Sequence, residues 1–180
     1  MKTQGWFDFR DFYDFIFRQF NKGVFVEIGA WKGQSVLYMA QRIKESGKNI
    51  KLYGIDAFEG TPDDYVILAD DDLRTGNLYN AYLQTIAPVK DIITTIVGSS
   101  HEVHDRFADD SIDFLFIDGD HRYVGISKDI DLWYPKVKNR GIISGHDYEK
   151  SAFCGVKDAV DERFDKVGQF GRCWFYNKKI

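Results

Sequence analysis

Short apolar runs that end in acids, separated by stretches of helical spacing, limit this chain more than any other feature. "VFVEI" (24–28) stops at Gly29, "KLYGID" (51–56) ends in Asp56, "IDFLFID" (112–118) ends in Asp118, and "GIIS" (141–144) runs into Gly145, His146 and Asp147. They are apolar throughout rather than alternating, as strands covered on both faces must be. "DIITTIVG" (91–98) and "CWFYN" (173–177) read as two further strands. Between them the period changes. Residues 7–20 place apolar side chains at 9, 12, 13, 16, 17 and 20, the spacing of a helix with one buried face. Helices are also predicted over 35–45, 77–87, 100–108, 122–137 and 155–167. Pro135 predicts that the fifth of these six ends or kinks near Tyr134. Strands alternating with helices give an α/β domain, a doubly wound parallel sheet with helices on both faces.

The 180 residues are read as one domain, 1–180, with a helix within 1–22. The net charge of −4 gives no support for a nucleic-acid surface. Cys154 and Cys173 are too few for a disulfide scaffold or a zinc cluster and read as two thiols. No apolar run is long enough to span a membrane, and acids stand where a signal peptide would be apolar, so a cytoplasmic protein is expected. Residues 59–76 hold Glu59, Asp63, Asp64, Asp70, Asp71 and Asp72 before the first basic residue, Arg74, with Pro62, Gly60 and Gly76. This segment reads as an acidic loop or lid.

Ligands of open parallel sheets bind at the carboxyl ends of the strands, where each polar cluster of this chain falls. In "EIGAWKGQS" (27–35), Gly29 and Gly33 permit a tight turn into a helix, and Glu27 is placed to hold an ammonium. The spacing is not G-x-G-x-x-G, and Trp31 and Lys32 would crowd a pyrophosphate. Asp56 suits the two hydroxyls of a ribose, or caps a helix. Gly98, Ser99 and Ser100 suit a base, or Ser99 or Ser100 caps the next helix. Together they describe a site for an adenosine carrying a positive amino group, the profile of S-adenosylmethionine.

The chain resembles the class I S-adenosylmethionine-dependent methyltransferases and is similar to the small metal-dependent O-methyltransferases, including those acting on macrolide sugars and catechols. The resemblance rests on "VEIGAWKGQS", "YGIDAFEGTPDD", "LFIDGDHRY", "GIISGHDY" and "GVKDAV" in that order. It implies a Rossmann-like, mostly parallel seven-stranded sheet of order 3-2-1-4-5-7-6. It implies Glu27, Gly29 and Gly33 at the methionine end, with Ser35 among the cofactor contacts. Asp56 would hold the ribose, Ala57 and Phe58 would lie beside the adenine, and Gly98, Ser99 and Ser100 at its other edge. Asp118 would face both cofactor and metal. A homodimer is compatible with the resemblance.

Asp118 and Asp147 end neighbouring predicted strands, and two carboxylates brought together repel unless a cation or proton sits between them. A hard divalent ion, Mg²⁺ or Mn²⁺, resolves this. The resemblance implies two adjacent ligands after the fifth strand, here His146 and Asp147. A histidine departs from the usual acid or amide and either ligates or faces away. His121, three residues after Asp118, is the candidate general base, since imidazole takes a proton near neutral pH. It also reads as a neighbour of a helix start, bonded to Asp120 or Asp147. Asp120 reads as a cap for the helix at 122. Catalysis is thus assigned to His121 and Asp118, and metal binding to Asp118, His146 and Asp147.

The expected reaction is methyl transfer to a hydroxyl of a small molecule, with no nucleic-acid or membrane partner. The acidic segment would disfavour phosphorylated acceptors and favour a sugar-like one. Replacing its aspartates is then expected to alter acceptor choice more than cofactor affinity. The rival readings are a nucleotide-linked oxidoreductase, a non-catalytic S-adenosylmethionine-binding module, and N-methylation.

Overall fold

The computed structural model describes residues 7–60, 69–150 and 155–179. Asp63, Asp64, Cys154 and the first six residues lie outside them. The strands are β1 (Lys22–Ile28), β2 (Asn49–Asp56), β3 (Ile93–Val97), β4 (Ile112–Ile117), β5 (Val137–Gly145), β6 (Gly168–Phe170) and β7 (Cys173–Asn177). The helices are α1 (Arg10–Gln19), α2 (Gln34–Ser46), α3 (Asp71–Arg74), α4 (Leu78–Ile86), α5 (Ser100–Val103), α6 (Tyr123–Trp133) and α7 (Val156–Arg163). The sheet order is β3-β2-β1-β4-β5-β7-β6, as expected. The pairings from β3 to β5 are parallel, whereas β7 runs antiparallel to β5 and to β6.

The two faces follow from strand alternation. Phe25 of β1 with Phe114 and Phe116 of β4 faces α1, α2 and α4. Val26 and Ile28 with Leu115 and Ile117 face α6 and α7. In α1, Phe12, Tyr13, Ile16 and Phe17 are buried, two pairs one turn apart on a single stripe. Each apolar side chain of this size contributes roughly 1.5–3 kcal/mol on burial, so α1 belongs to the core.

Three local expectations are corrected. The acidic segment is not all loop, because Asp71–Arg74 forms a helical turn capped by Asp70, whose side chain accepts from the backbone N–H groups of Asp72 and Leu73. β5 begins at Val137, four residues before the predicted run, with a register shift against β4 between Ile112 and Phe114. Asp120 does not occupy the cap position of α6. That position is Arg122, and Asp120 instead accepts from its backbone N–H at 2.9 Å. Pro135 acts as predicted: α6 ends at Trp133 and Tyr134–Lys136 tightens into a 3₁₀ turn. Among the described residues, no helix is long and apolar enough to cross a membrane.

Candidate active site

The turn after β1 is squeezed between its neighbours. The Gly29 N–H donates to Ile55 O at 2.9 Å and the Asp118 N–H to Ile28 O at 2.8 Å. Gly29 has φ +88°, and a Cβ there would lie 2.1 Å from the Asp118 carbonyl oxygen. Only glycine fits both the conformation and the space. Gly33, at φ +79°, leaves room for Tyr82, whose ring would stand 2.9 Å from an added Cβ.

Glu27 and Ser35 are buried at the floor of this turn. Ser35 Oγ donates to Glu27 Oε1, and the Tyr13 hydroxyl, from α1, donates to Oε2 at 2.7 Å. Burial raises the Glu27 carboxyl to about 8, although both donors favour its ionised form. Tyr13 was legible only as part of an apolar helix face.

Asp56 accepts on both oxygens, from the Trp31 N–H at 2.7 Å and the Phe58 N–H at 2.6 Å. Burial raises its pKa against these two donors. Each oxygen keeps a lone pair, so ribose hydroxyls remain within its capacity. Ala57 follows directly. The Phe58 ring centroid lies 4.9 Å from that of Tyr79 and 5.0 Å from that of Tyr82. The Gly98 N–H reaches Asp56 O at 2.9 Å. Ser99 caps α5 by accepting from the His101 N–H at 3.3 Å, and Ser100 Oγ donates to Asp129 Oδ1 at 2.5 Å. Both hydroxyls therefore have structural partners.

The ends of β4 and β5 bring Asp118, His121 and Asp147 together, with ligand atoms that all lie within 4.8 Å of one another. His121 Nε2 is 3.2 Å from Asp147 Oδ2 and 3.6 Å from Asp118 Oδ1. His146, nearly buried, turns Nδ1 toward the same carboxylates, 3.3 Å from Asp147 and 4.0 Å from Asp118. Its Nε2 is 2.9 Å from Asp8 Oδ1. Burial works to lower the His146 pKa, but Asp147, Asp118 and Asp8 outweigh it and raise it. Burial works to raise Asp147, but His146, His121 and Arg172 hold it down to about 2. Arg172, in the turn between β6 and β7, donates to Asp147 and, at 2.7 Å, to Glu149. Two carboxylates facing two imidazoles suit a divalent cation. Asp8 would then orient His146 from behind, as partners of metal-bound histidines do. Nothing in the sequence marked Asp8 or Arg172.

Lys32 supplies another unforeseen contact. Its side chain is only 7% exposed, and Nζ lies 2.8 Å from Asp70 and 2.6 Å from Asp72.

The sequence matches the methyltransferase domain family over residues 26–148, and the chain belongs to that family. Among solved structures it is similar to the O-methyltransferase NovP, at 19% identity and TM-score 0.71, over 96% of this chain and 78% of that one. It is also similar to CalS11, a TDP-rhamnose 3'-O-methyltransferase of calicheamicin biosynthesis, at 13% identity and TM-score 0.66, over 93% and 77%. A methyltransferase from Geobacter sulfurreducens is similar at 12% identity and TM-score 0.62, over 95% and 78%. These likenesses carry the fold. No curated protein matches the sequence.

Proposed function

We propose that this methyltransferase moves the methyl group of S-adenosylmethionine to a hydroxyl of a small, sugar-like molecule with the help of a divalent cation. The observation that carries the reading is the convergence of Asp118, His121 and Asp147 beside the Gly29 turn. A proton acceptor and paired carboxylates beside that turn support methyl transfer, with Glu27 and Asp56 read as the floor for the donor. The fold likeness to a TDP-rhamnose 3'-O-methyltransferase supports a sugar hydroxyl.

Asp118, Asp147 and His146 would hold the cation, which when bound makes an alcohol easier to deprotonate. His121 is the more exposed imidazole and takes the acceptor's proton. Asp147 and Asp118, 3.2 and 3.6 Å from its Nε2, stabilise the imidazolium that forms. Glu27 receives the ammonium of the donor and Asp56 its ribose hydroxyls. The net change joins acceptor oxygen to methyl carbon and releases a neutral thioether, so positioning and proton removal are the protein's tasks.

The test is calorimetric titration of chelator-treated protein with S-adenosylmethionine, with and without Mg²⁺, followed by a screen of sugar and phenol acceptors. Donor binding with Mg²⁺-dependent methylation of a sugar hydroxyl is expected. Donor binding without any metal effect would remove the cation from the reading, and absence of donor binding would overturn the reading itself. Loss of metal affinity in His121→Ala would make His121 a ligand instead of the base.

A further inference from the structure

Lys32 sits in the turn between β1 and α2, with Trp31 on one side and Gly33 on the other. A lysine there was expected only to crowd a phosphate. Instead its ammonium is held by the acidic segment, at 2.8 Å from Asp70 and 2.6 Å from Asp72. Asp70 uses one oxygen on Lys32 and the other on the N–H groups of Asp72 and Leu73, at 3.0 and 3.3 Å. Asp72 uses one oxygen on Lys32 and the other on the Asn77 side-chain amide, at 3.0 Å. Asp71, between them, pairs with Arg74. Residues Asp70 to Asn77 are thus folded around one buried ammonium. α4 follows at once, and its Tyr82 packs on Gly33 at the far end of the same turn.

We infer that Lys32 is a positioning residue for the methyl donor: it pins the Asp70–Asn77 segment to the 29–33 turn, so that Asp70 and Asp72 govern retention of the donor rather than choice of acceptor. This rests on the reading of S-adenosylmethionine as that donor. Two arguments carry it. First, an ammonium with a carboxylate at 2.6 Å and another at 2.8 Å is already engaged and does not serve a ligand directly. Second, Lys32 and Arg74 offset two of the three charges of Asp70, Asp71 and Asp72, and the Asp70 and Asp72 carboxylates are spent on the Lys32 ammonium and on the segment's own N–H groups rather than turned to an incoming acceptor. Burial works to lower the Lys32 pKa, but the two carboxylates outweigh it and raise it, which keeps the pin charged at neutral pH. Removing the two acids leaves a buried ammonium without its counter-charge, and removing Lys32 leaves two neighbouring carboxylates to repel, and either change moves the segment or the turn.

The experiment is a double-mutant cycle read as the Kd for S-adenosylmethionine, by calorimetry on the full chain, with melting temperature as a folding control. Lys32→Met, the pair Asp70→Asn with Asp72→Asn, and all three together are titrated beside the wild type. Each of the first two is expected to weaken binding about tenfold or more, the triple variant no more than Lys32→Met alone, and Lys32→Arg is expected to recover most of the affinity. Asp72→Asn alone, which leaves Asp70 on Lys32, covers the case in which Lys32→Met does not fold; weaker binding at an unchanged melting temperature is expected. Unchanged Kd in these variants overturns the inference, as do losses that add in the triple variant. Failure of the wild type to bind overturns the donor reading itself, and is distinguished because it precedes any substitution.

Discussion

The Tyr13 hydroxyl donates to Glu27 Oε2 at 2.7 Å, across fourteen residues of sequence and inside the core. The first helix therefore contributes a polar group to the floor of the proposed donor site. Tyr13→Phe keeps the ring and removes only the hydroxyl. A hydrogen bond to a charged group is worth about 1.5–3 kcal/mol. Affinity for S-adenosylmethionine at pH 7 is expected to fall about tenfold or more, while Mg²⁺ affinity measured without the donor stays unchanged. Equal loss of both would mean that the ring's packing has been disturbed.

The raised pKa of Glu27, about 8, gives donor binding and stability opposite pH dependences. In the free folded protein the carboxyl keeps its proton between the unfolded value, about 4.3, and about 8. The unfolded chain has lost it over that window, so stability falls as pH rises there, by at most about 1.4 kcal/mol per pH unit. An ammonium favours the carboxylate, so donor binding strengthens with pH over the same window and releases a proton. Denaturation midpoints and calorimetry in buffers of different ionisation heat, from pH 5 to 8, check both. Glu27→Gln should flatten both slopes; retained slopes would place the titration elsewhere.

Gly29→Ala tests whether the turn and Asp118 form one unit. The added Cβ would meet the Asp118 carbonyl at 2.1 Å, in a conformation that L side chains rarely adopt. A loss of about 2–4 kcal/mol in unfolding free energy is expected, with weaker binding of both donor and metal. A variant as stable as the wild type would show that the turn adapts.

His121→Ala and Asp56→Ala should separate chemistry from binding. The first is expected to lower kcat by about 10²–10⁴ with the donor Kd unchanged, because only the proton transfer is lost. The second should weaken the donor first. It also removes the carboxylate that accepts from the Trp31 and Phe58 N–H groups, so a fall in melting temperature accompanies it. Unchanged turnover in His121→Ala would place the base elsewhere.

What the sequence revealed was what lies close along the chain. The doubly buried strands show as unbroken apolar runs, and Asp118 and His121 fall three residues apart at the end of one of them. β6 was not legible by itself. It has three residues, no periodicity and, among the described residues, a ladder only with β7, so the seventh strand came from resemblance alone. Contacts made through folding were equally hidden. Asp8 meets His146, and Arg172 meets Asp147 from a turn whose composition says nothing about where it points. The acidic segment displayed its charge but not its partner, Lys32, 38 residues upstream of Asp70.

Glu27, Asp56, Asp118 and Asp147 are delivered by four different strands, and the central pairing sets Phe25 of β1 against Phe114 of β4, about ninety residues further on. Closing so long a loop comes late in folding, because its entropy must be met before the pairing rewards it. A ligand held by all four therefore binds only the closed sheet, and at a hundred times its Kd adds about 2.7 kcal/mol against global unfolding. Resistance to melting thus becomes a gauge of occupancy, by which the acceptor and the cation can be sought before any turnover is seen.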